Sequence, residues 1–174
     1  MRSTIDEKDT VIYDSNYKNG IREVYDLSSY RLVDIVSRDM LDTIIDSFIS
    51  KESKEYIEDL YKYYDYYKED SNKPDRYMKY IIWLDNSEIV AYVILQIYND
   101  GVNFLDLLVI TRLYRGHGLA IPIMKYLISK YNVNELSVHR YNKVAIELYK
   151  KVEFRFTDKY DSKNSDKDLL FMIR

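Results

Sequence analysis

The chain has 174 residues, a length typical of a single domain that can bury a sizeable core. It contains no cysteine, which excludes a disulfide framework, a thiolate metal site and a cysteine nucleophile. The net charge is −3, and this near balance does not favour general nucleic-acid binding. No apolar run is long enough for a transmembrane helix, and the polar segment 1–10 is unlike a secretory signal, so we expect a cytoplasmic protein with no membrane partner.

The first predicted elements are a strand and two helices. Residues 30–36 are typical of a strand, and apolar residues at helical spacing after Ser37, which is placed to cap it, predict the first helix. A second helix, rich in tyrosine and acidic residues, runs up to the polar segment 71–75. Residues 1–29 are weakly patterned apart from a short strand at 11–13, and we interpret them as an N-terminal extension of the same domain.

The middle of the chain changes to the composition of strands, rich in isoleucine, valine and aromatic residues. Three predicted strands, at 80–84, 88–98 and 103–110, are separated by the turn-forming segments 85–87 and 99–101. This spacing predicts an antiparallel meander.

Two further helices alternate with strands in the last third. An apolar helix closes at residues 132–134, a strand follows at 135–139, and Asn142 is placed to cap the next helix. Residues 154–160 and 169–173 are interpreted as a terminal strand pair around the polar loop 161–168. No linker or internal repeat divides the chain.

The segment between the meander and the apolar helix carries the first functional signal. It holds two of the chain's four glycines, Gly116 and Gly118. Main-chain N–H groups at the start of a helix bind phosphate, and glycine allows the phosphate to approach closely. Arg112 and Arg115 would add positive charge. On these residues alone, a phosphate-binding loop and a turn that needs glycine only for its shape stay open as alternatives.

The same segment resembles a known signature. Arg115-x-x-Gly118-x-Ala120, with a strand before it and an apolar helix after it, is similar to the acetyl-coenzyme A motif of the GNAT N-acetyltransferase superfamily. The predicted order of elements over residues 30–174 agrees with that family's fold. The resemblance implies a mixed α/β (α+β) domain with a mainly antiparallel sheet of about seven strands and about four helices.

A second motif resembles the family's helix after the fifth strand. It reads Asn142-x-x-Ala145-x-x-x-Tyr149-x-x-x-x-Phe154. Glu153 stands where the family usually has glycine, which leaves the local turn an open question.

The resemblance implies acetyl-coenzyme A as the donor of the acetyl group. The main-chain amides of the loop would hold its pyrophosphate; these residues are Arg115, Gly116, His117, Gly118, Leu119 and Ala120. Backbone groups of Leu108 and Ile110 would pair with the pantetheine arm. Asn142, from the second motif, would also belong to the coenzyme-binding residues. The thioester would lie where the strand 103–110 splays from the strand 135–139.

Two residues are candidates for proton transfer. Tyr149 matches the family's tyrosine position and could protonate the departing thiolate, whereas the alternative is a core tyrosine. Asp106 is the candidate base. Strict alternation would place 104, 106, 108 and 110 on one face of the strand. An acid among apolar neighbours is costly to bury, which favours a functional role. An ordinary aspartate is a weak base, so a water relay or an altered environment is required. The alternative is a carboxylate bonded to a neighbouring loop.

Both histidines have plainer interpretations. His117 lies in the loop, where a turn position is favoured over a phosphate contact. His139 ends a strand beside the expected cleft and could act as a base, but an exposed strand-end histidine is the commoner case. No spacing typical of metal ligands is present.

The sequence is less informative about the acceptor site than about the coenzyme site. Residues 52–75 carry eight acidic and four basic side chains interleaved with six tyrosines. Such a wall would suit a cationic acceptor, although a solvated helix with a tyrosine core stripe is the plainer interpretation.

The sequence therefore favours an N-acetyltransferase that moves an acetyl group directly to a primary amine of a small molecule, polyamine or protein. A coenzyme-binding regulator of the same fold without catalysis, and a tyrosine-rich interaction protein, stay as alternatives. A homodimer is left open.

Overall fold

The protein is described by a computed structural model, which covers residues 12–18, 21–35, 37–45, 50–67, 73–159 and 168–174. Two strands, β1 (Ile12–Lys18) and β2 (Ile21–Asp26), form an antiparallel pair. They are followed by β3 (Arg31–Ile35) and the helices α1 (Arg38–Ile45) and α2 (Lys51–Tyr66).

The meander is formed by β4 (Arg76–Asp85), β5 (Glu88–Tyr98) and β6 (Asn103–Ile110). The remaining elements in chain order are α3 (Ala120–Tyr131), β7 (Glu135–His139), α4 (Lys143–Lys151), β8 (Arg155–Phe156) and β9 (Leu169–Ile173).

The central sheet has seven strands in the order β3-β4-β5-β6-β7-β9-β8. Every neighbouring pair is antiparallel except β6 and β7, which are parallel. Together with the four helices of the described residues, this confirms the predicted fold class and the order of elements.

The helices cover the sheet from both sides. Leu41 of α1 and Ile57 of α2 pack on one face with sheet residues such as Ile82. Ile123 of α3 and Ile146 of α4 belong to a second core on the opposite face. The described apolar residues of each helix therefore face the sheet, as their spacing predicted.

The turns and caps follow their sequence signals. Asn86 and Gly101, in the two turns of the meander, have φ angles of 53° and 90°. The Asn142 side chain accepts from the N–H of Ala145 at 3.1 Å, and the Ser37 hydroxyl accepts from the N–H of Met40 at 3.3 Å. The predicted caps of α1 and α4 are confirmed.

Two expectations were wrong in detail, and one strand was missed. The N-terminal strand runs from Ile12 to Lys18 rather than over 11–13, and its partner β2 was not predicted. The strand predicted at 154–160 is reduced to the two exposed residues of β8, which lies at the edge of the sheet, where short strands are usual. Residues 1–11, 19–20, 36, 46–49, 68–72 and 160–167, which other expectations included, lie outside the described residues.

A bulge in β6 overturns the expected alternation. Leu105 lies opposite Leu95 and Leu107 opposite Ile94, so Asp106 has no residue opposite it on β5. Strict alternation would place Leu105 and Leu108 on opposite faces. The extra residue shifts the pattern, so that both belong to the α3/α4 core, whereas Leu107 packs with the α1/α2 core. The prediction that 104, 106, 108 and 110 share one face is therefore wrong.

Candidate active site

A gap opens between the two parallel strands in the middle of the sheet. Among the described residues, β6 and β7 pair only at Phe104 with Glu135 and at Leu105 with Leu136. Beyond these pairs β6 continues along β5, and β7 continues along β9. Residues 106–110 therefore have one strand edge that no described strand covers.

The backbone of Leu108 and Ile110 faces this gap. The N–H of Thr111 donates to the carbonyl of Val90 on β5 at 3.0 Å. Because successive backbone groups of a strand point to opposite sides, those of Leu108 and Ile110 point away from β5. The Ile110 carbonyl accepts from Arg115 Nε at 2.8 Å, which agrees with that direction. The two positions predicted for the pantetheine arm thus lie at the open edge.

The glycine loop leaves its amides available. Gly116 and Gly118 have φ angles of 78° and 74°, a conformation that side-chain-bearing residues rarely adopt. The N–H groups of residues 116–120 make no hydrogen bond to any described residue, and the first backbone bond of α3 runs from Ile123 to the carbonyl of Leu119 at 3.1 Å. Leu119, which precedes the helix, has no side chain able to cap it. The uncapped start of this 12-residue helix could accept an anion.

The two arginines around the start of the loop contact α2 and β6. The N–H of Arg112 donates to the Tyr56 hydroxyl at 3.2 Å, and its guanidinium lies 3.6 Å from a Glu52 carboxylate oxygen. The charge of Arg112 is therefore directed at α2, whereas His117 is exposed in the loop. Of the two arginines proposed for phosphate binding, Arg115 lies nearer the glycines in the chain, and its Nε anchors it to β6.

Tyr149 lies on the inner face of α4. Its side chain is only 8% exposed and belongs to the same core cluster as Leu108, Ile110 and Leu119. Burial raises the pKa of Tyr149 to about 12, so the phenol remains protonated at neutral pH. Its ring contacts Phe154 edge-on, with 6.3 Å between centroids. Tyr149 is therefore a core tyrosine, as the alternative expected, and its role as a proton donor stays a prediction.

Asp106 is held by two side chains that the sequence did not single out. The Tyr67 hydroxyl, directly after α2, donates to Asp106 Oδ2 at 2.6 Å, and Gln96 Nε2 on β5 donates to Oδ1 at 2.9 Å. Bonding to neighbouring side chains, the expected alternative, is therefore present, although one partner lies on a strand and not in a loop. The role of Asp106 as a base stays a prediction. Tyr67 lies in the acidic, tyrosine-rich stretch, but nothing in its spacing connects it to residue 106.

A cavity of about 380 Å³ lies beside Gln96, one of the two donors to Asp106. Gln96 and Phe104 contribute to its wall together with Tyr98, Asp100, Val102 and Lys159. Most tyrosines of α2 pack on the sheet instead of lining an open wall; those in the α1/α2 core are Tyr56, Tyr61, Tyr63 and Tyr64. For these four tyrosines, a core stripe on α2 describes the structure better than a wall that faces the acceptor.

His139 lies at the exposed end of β7, and its carbonyl accepts from the N–H of Asn142 at 2.8 Å. Its backbone therefore positions the start of α4.

The fold agrees with the comparisons with known proteins. A sequence profile of the acetyltransferase (GNAT) family matches residues 39–154, more than half of the chain. The protein therefore belongs to the GNAT family of acetyltransferases. No curated protein sequence matches it.

Solved structures show the same fold at low sequence identity. An acetyltransferase from Thermus thermophilus matches with a TM-score of 0.54 and 18% identity, covering 82% of this chain and 96% of its own. The spermidine/spermine N-acetyltransferase SpeG from Vibrio cholerae, solved in mutant forms, matches with a TM-score of 0.52 and 17% identity, covering 83% of this chain and 92% of its own. Within the described residues, no helix is long and apolar enough to cross a membrane.

Proposed function

We propose that the protein is an acetyl-coenzyme A-dependent N-acetyltransferase that transfers the acetyl group directly to a primary amine in the cytoplasm. The observation that carries the proposal is the combination of a splayed β6–β7 pair with an uncapped, glycine-containing start of α3 on the same open edge. Family membership supports the acetyl-transfer chemistry.

The donor would be bound mostly by main-chain groups. The amides of residues 116–120 would hold the pyrophosphate, with Arg115 adding positive charge. The N–H groups of Leu108 and Ile110 would pair with the pantetheine arm as an added strand would. Asn142 already uses its side chain to cap α4, so its contribution to the coenzyme site would come through the position of that helix.

Transfer requires a neutral amine, a donor for the oxyanion and an acid for the leaving group. The amine nitrogen forms a bond to the thioester carbonyl carbon, and a backbone N–H of β6 stabilises the oxyanion that develops. The C–S bond then breaks and an acid protonates the departing thiolate, while the proton that the nitrogen loses as the amide forms restores that acid. Tyr149 is the proposed donor to the sulfur, since it stays protonated at every pH at which an enzyme of this kind would work.

Binding of the donor is tested by calorimetric titration with acetyl-coenzyme A. We expect saturable binding to the wild type and none to Gly118→Asp, because a side chain at this left-handed position distorts the loop and its carboxylate repels phosphate. Gly101→Asp is the matched control, since Gly101 also has a positive φ but lies in the β5–β6 turn. Equal affinity of Gly118→Asp and wild type would contradict the assigned loop.

Catalysis is tested separately by release of free thiol from acetyl-coenzyme A in the presence of a panel of amines. Thiol release that depends on an amine supports the enzyme. Coenzyme binding with no release on any amine would favour the non-catalytic regulator instead.

A further inference from the structure

Tyr67 and Asp106 form part of a chain of hydrogen bonds that ends on a fixed positive charge. Gln96 donates to Asp106 through Nε2, and Gln96 Oε1 accepts from the Tyr98 hydroxyl at 2.8 Å and from Arg76 Nη1 at 3.1 Å. Arg76 Nη1 also donates to the Tyr98 hydroxyl at 2.7 Å. These contacts fix the orientation of the Gln96 amide, so its N–H group faces Asp106 and its oxygen faces away.

The two donors to Asp106 differ in what they can pass on. An amide N–H does not release its proton at neutral pH, whereas a phenol both donates a hydrogen bond and accepts one through its lone pairs. The Tyr67 hydroxyl is therefore the one of these two groups through which a proton can reach the carboxylate. Its ring is kept in place by the edge-on contact with Tyr66, with 4.8 Å between centroids.

We propose, on the basis of the function assigned above, that Tyr67 is a catalytic residue that relays a proton from the bound acceptor ammonium to Asp106. An N–H bond of the ammonium breaks as its proton moves to the Tyr67 oxygen. The original hydroxyl proton of Tyr67 moves at the same time to Asp106 Oδ2. The amine is left neutral with its lone pair ready to attack, Tyr67 is restored, and the carboxylate becomes a carboxylic acid.

The acceptor body would occupy the adjacent cavity. Its wall includes Gln96, which contacts Asp106 directly, so the body of the acceptor would lie beside Gln96 and its ammonium would extend past that side chain to the Tyr67 hydroxyl. A volume of about 380 Å³ lies in the range of small-molecule sites. The acceptor class is therefore a small primary amine that binds as its ammonium.

Uncharged groups dominate the described surroundings of the pair. They include the phenols Tyr64 and Tyr66 on α2, Tyr80 on β4 and Tyr98 on β5. Charged side chains among the described residues nearby include Arg76, separated by Gln96, and Asp100 and Lys159 on the cavity wall. In water the pKa of an alkylammonium lies about six units above that of a carboxylic acid. Burial and the hydrogen bond to Asp106 raise the pKa of Tyr67, so the phenol is protonated before the relay begins.

The test compares Tyr67→Phe with the matched variant Tyr61→Phe. Tyr61, which lies on α2, also donates to an aspartate, Asp42, but its hydroxyl lies among exposed groups. Two acceptors are used at pH 7: an alkylamine that is almost fully protonated, and a fluorinated ethylamine that is largely neutral. Coenzyme binding by each variant is measured in parallel, which reports whether the protein is folded.

We expect Tyr67→Phe to lower kcat/KM for the alkylamine by about 100-fold, the usual contribution of a proton-transfer group, and to change that for the fluorinated amine by less than about threefold. Tyr61→Phe should leave both rates unchanged. A merely structural role of Tyr67 would reduce both rates equally, and that result, or no loss with either amine, would overturn the relay.

The wild type gives a second readout that needs no variant to fold. With the relay, the ammonium form is productive, so kcat/KM for the alkylamine stays level between about pH 6 and pH 8. Without a base, kcat/KM would fall about tenfold for each pH unit below the pKa of the amine. Such a slope would overturn the relay but not the proposed function. A wild type inactive on every amine overturns the proposed function as well.

Discussion

The N–H of Phe154 donates to the carbonyl of Tyr149 at 3.0 Å, and this bond closes the end of α4. Between them Glu153 has a φ of 72°, and its own N–H donates to the carbonyl of Lys150 at 3.0 Å. These two bonds define a Schellman motif, in which the left-handed residue is usually glycine. The turn that the family builds with glycine is therefore kept here by a glutamate, at a cost in backbone strain.

We predict that glycine at this position stabilises the protein relative to alanine. Glu153→Gly and Glu153→Ala both remove the ion pair with Arg174, whose Nη2 lies 2.8 Å from the Glu153 carboxylate, so their difference isolates the backbone effect. Urea unfolding should give the glycine variant a free energy of unfolding about 1 kcal/mol higher. Equal stabilities would contradict a strained turn.

The order of strands and helices could be predicted because each element carries its own local signal. Periodicity identified the meander and α2 to α4, and the asparagine and glycine turns supplied the boundaries. The N-terminal pair was missed because β1 contains Asp14, Ser15 and Asn16 and does not alternate cleanly. The dipeptide Asn19-Gly20 between the two strands is a hairpin signal that could have found it.

The environment of Asp106 could not be predicted from local sequence. Its neighbours Tyr67 and Gln96 are 39 and 10 residues away in the chain, and contacts at such distances depend on how α2 packs on the sheet. The bulge also escaped prediction, since a single extra residue leaves the apolar composition of β6 unchanged. Motif spacing, by contrast, located the glycine loop, because the loop is built from consecutive residues.

A matched pair of glycine substitutions tests whether the loop binds the coenzyme. Gly116 and Gly101 have φ angles of 78° and 90°, and an added Cβ at either would meet no atom within 4 Å. Gly116→Ala and Gly101→Ala should therefore lower stability by similar amounts, about 1 kcal/mol, through backbone strain alone. Only Gly116→Ala should also weaken coenzyme A binding in calorimetry, by about tenfold or more, equal to about 1.4 kcal/mol. Parallel losses of affinity in both variants would point to a general effect of instability.

Tyr149→Phe should separate turnover from binding. Removing the hydroxyl leaves the ring against Phe154 but takes away the proposed donor to the leaving sulfur. We expect kcat to fall by about 100-fold and the Kd of coenzyme A to stay within about twofold. Tyr92→Phe, at a buried tyrosine of the α1/α2 core, is the control and should retain kcat. A Tyr149→Phe enzyme with wild-type kcat would remove the acid role.

Buried and half-buried tyrosines should make the fold sensitive to alkali. Burial is the main cause that raises the pKa of six of them: Tyr30, Tyr67, Tyr80, Tyr92, Tyr114 and Tyr149. A folded-state pKa above the unfolded value of about 10 means that the folded chain holds the phenol proton more tightly. Their contribution to stability is thus complete below pH 10 and is lost as the pH rises through about 10 towards about 12 and above.

The measurement is the free energy of urea unfolding at several pH values between about 9 and 12, with phenolate absorbance recorded across each transition. Stability should fall with rising pH, and unfolding should release protons from tyrosine. Because Tyr149 titrates at about pH 12 when folded, Tyr149→Phe should reduce the slope by up to about 1.4 kcal/mol per pH unit, the value for one proton. Lysine titration is common to both proteins and cancels in this comparison. Identical slopes would mean that the Tyr149 phenol titrates as readily in the folded chain as in the unfolded one.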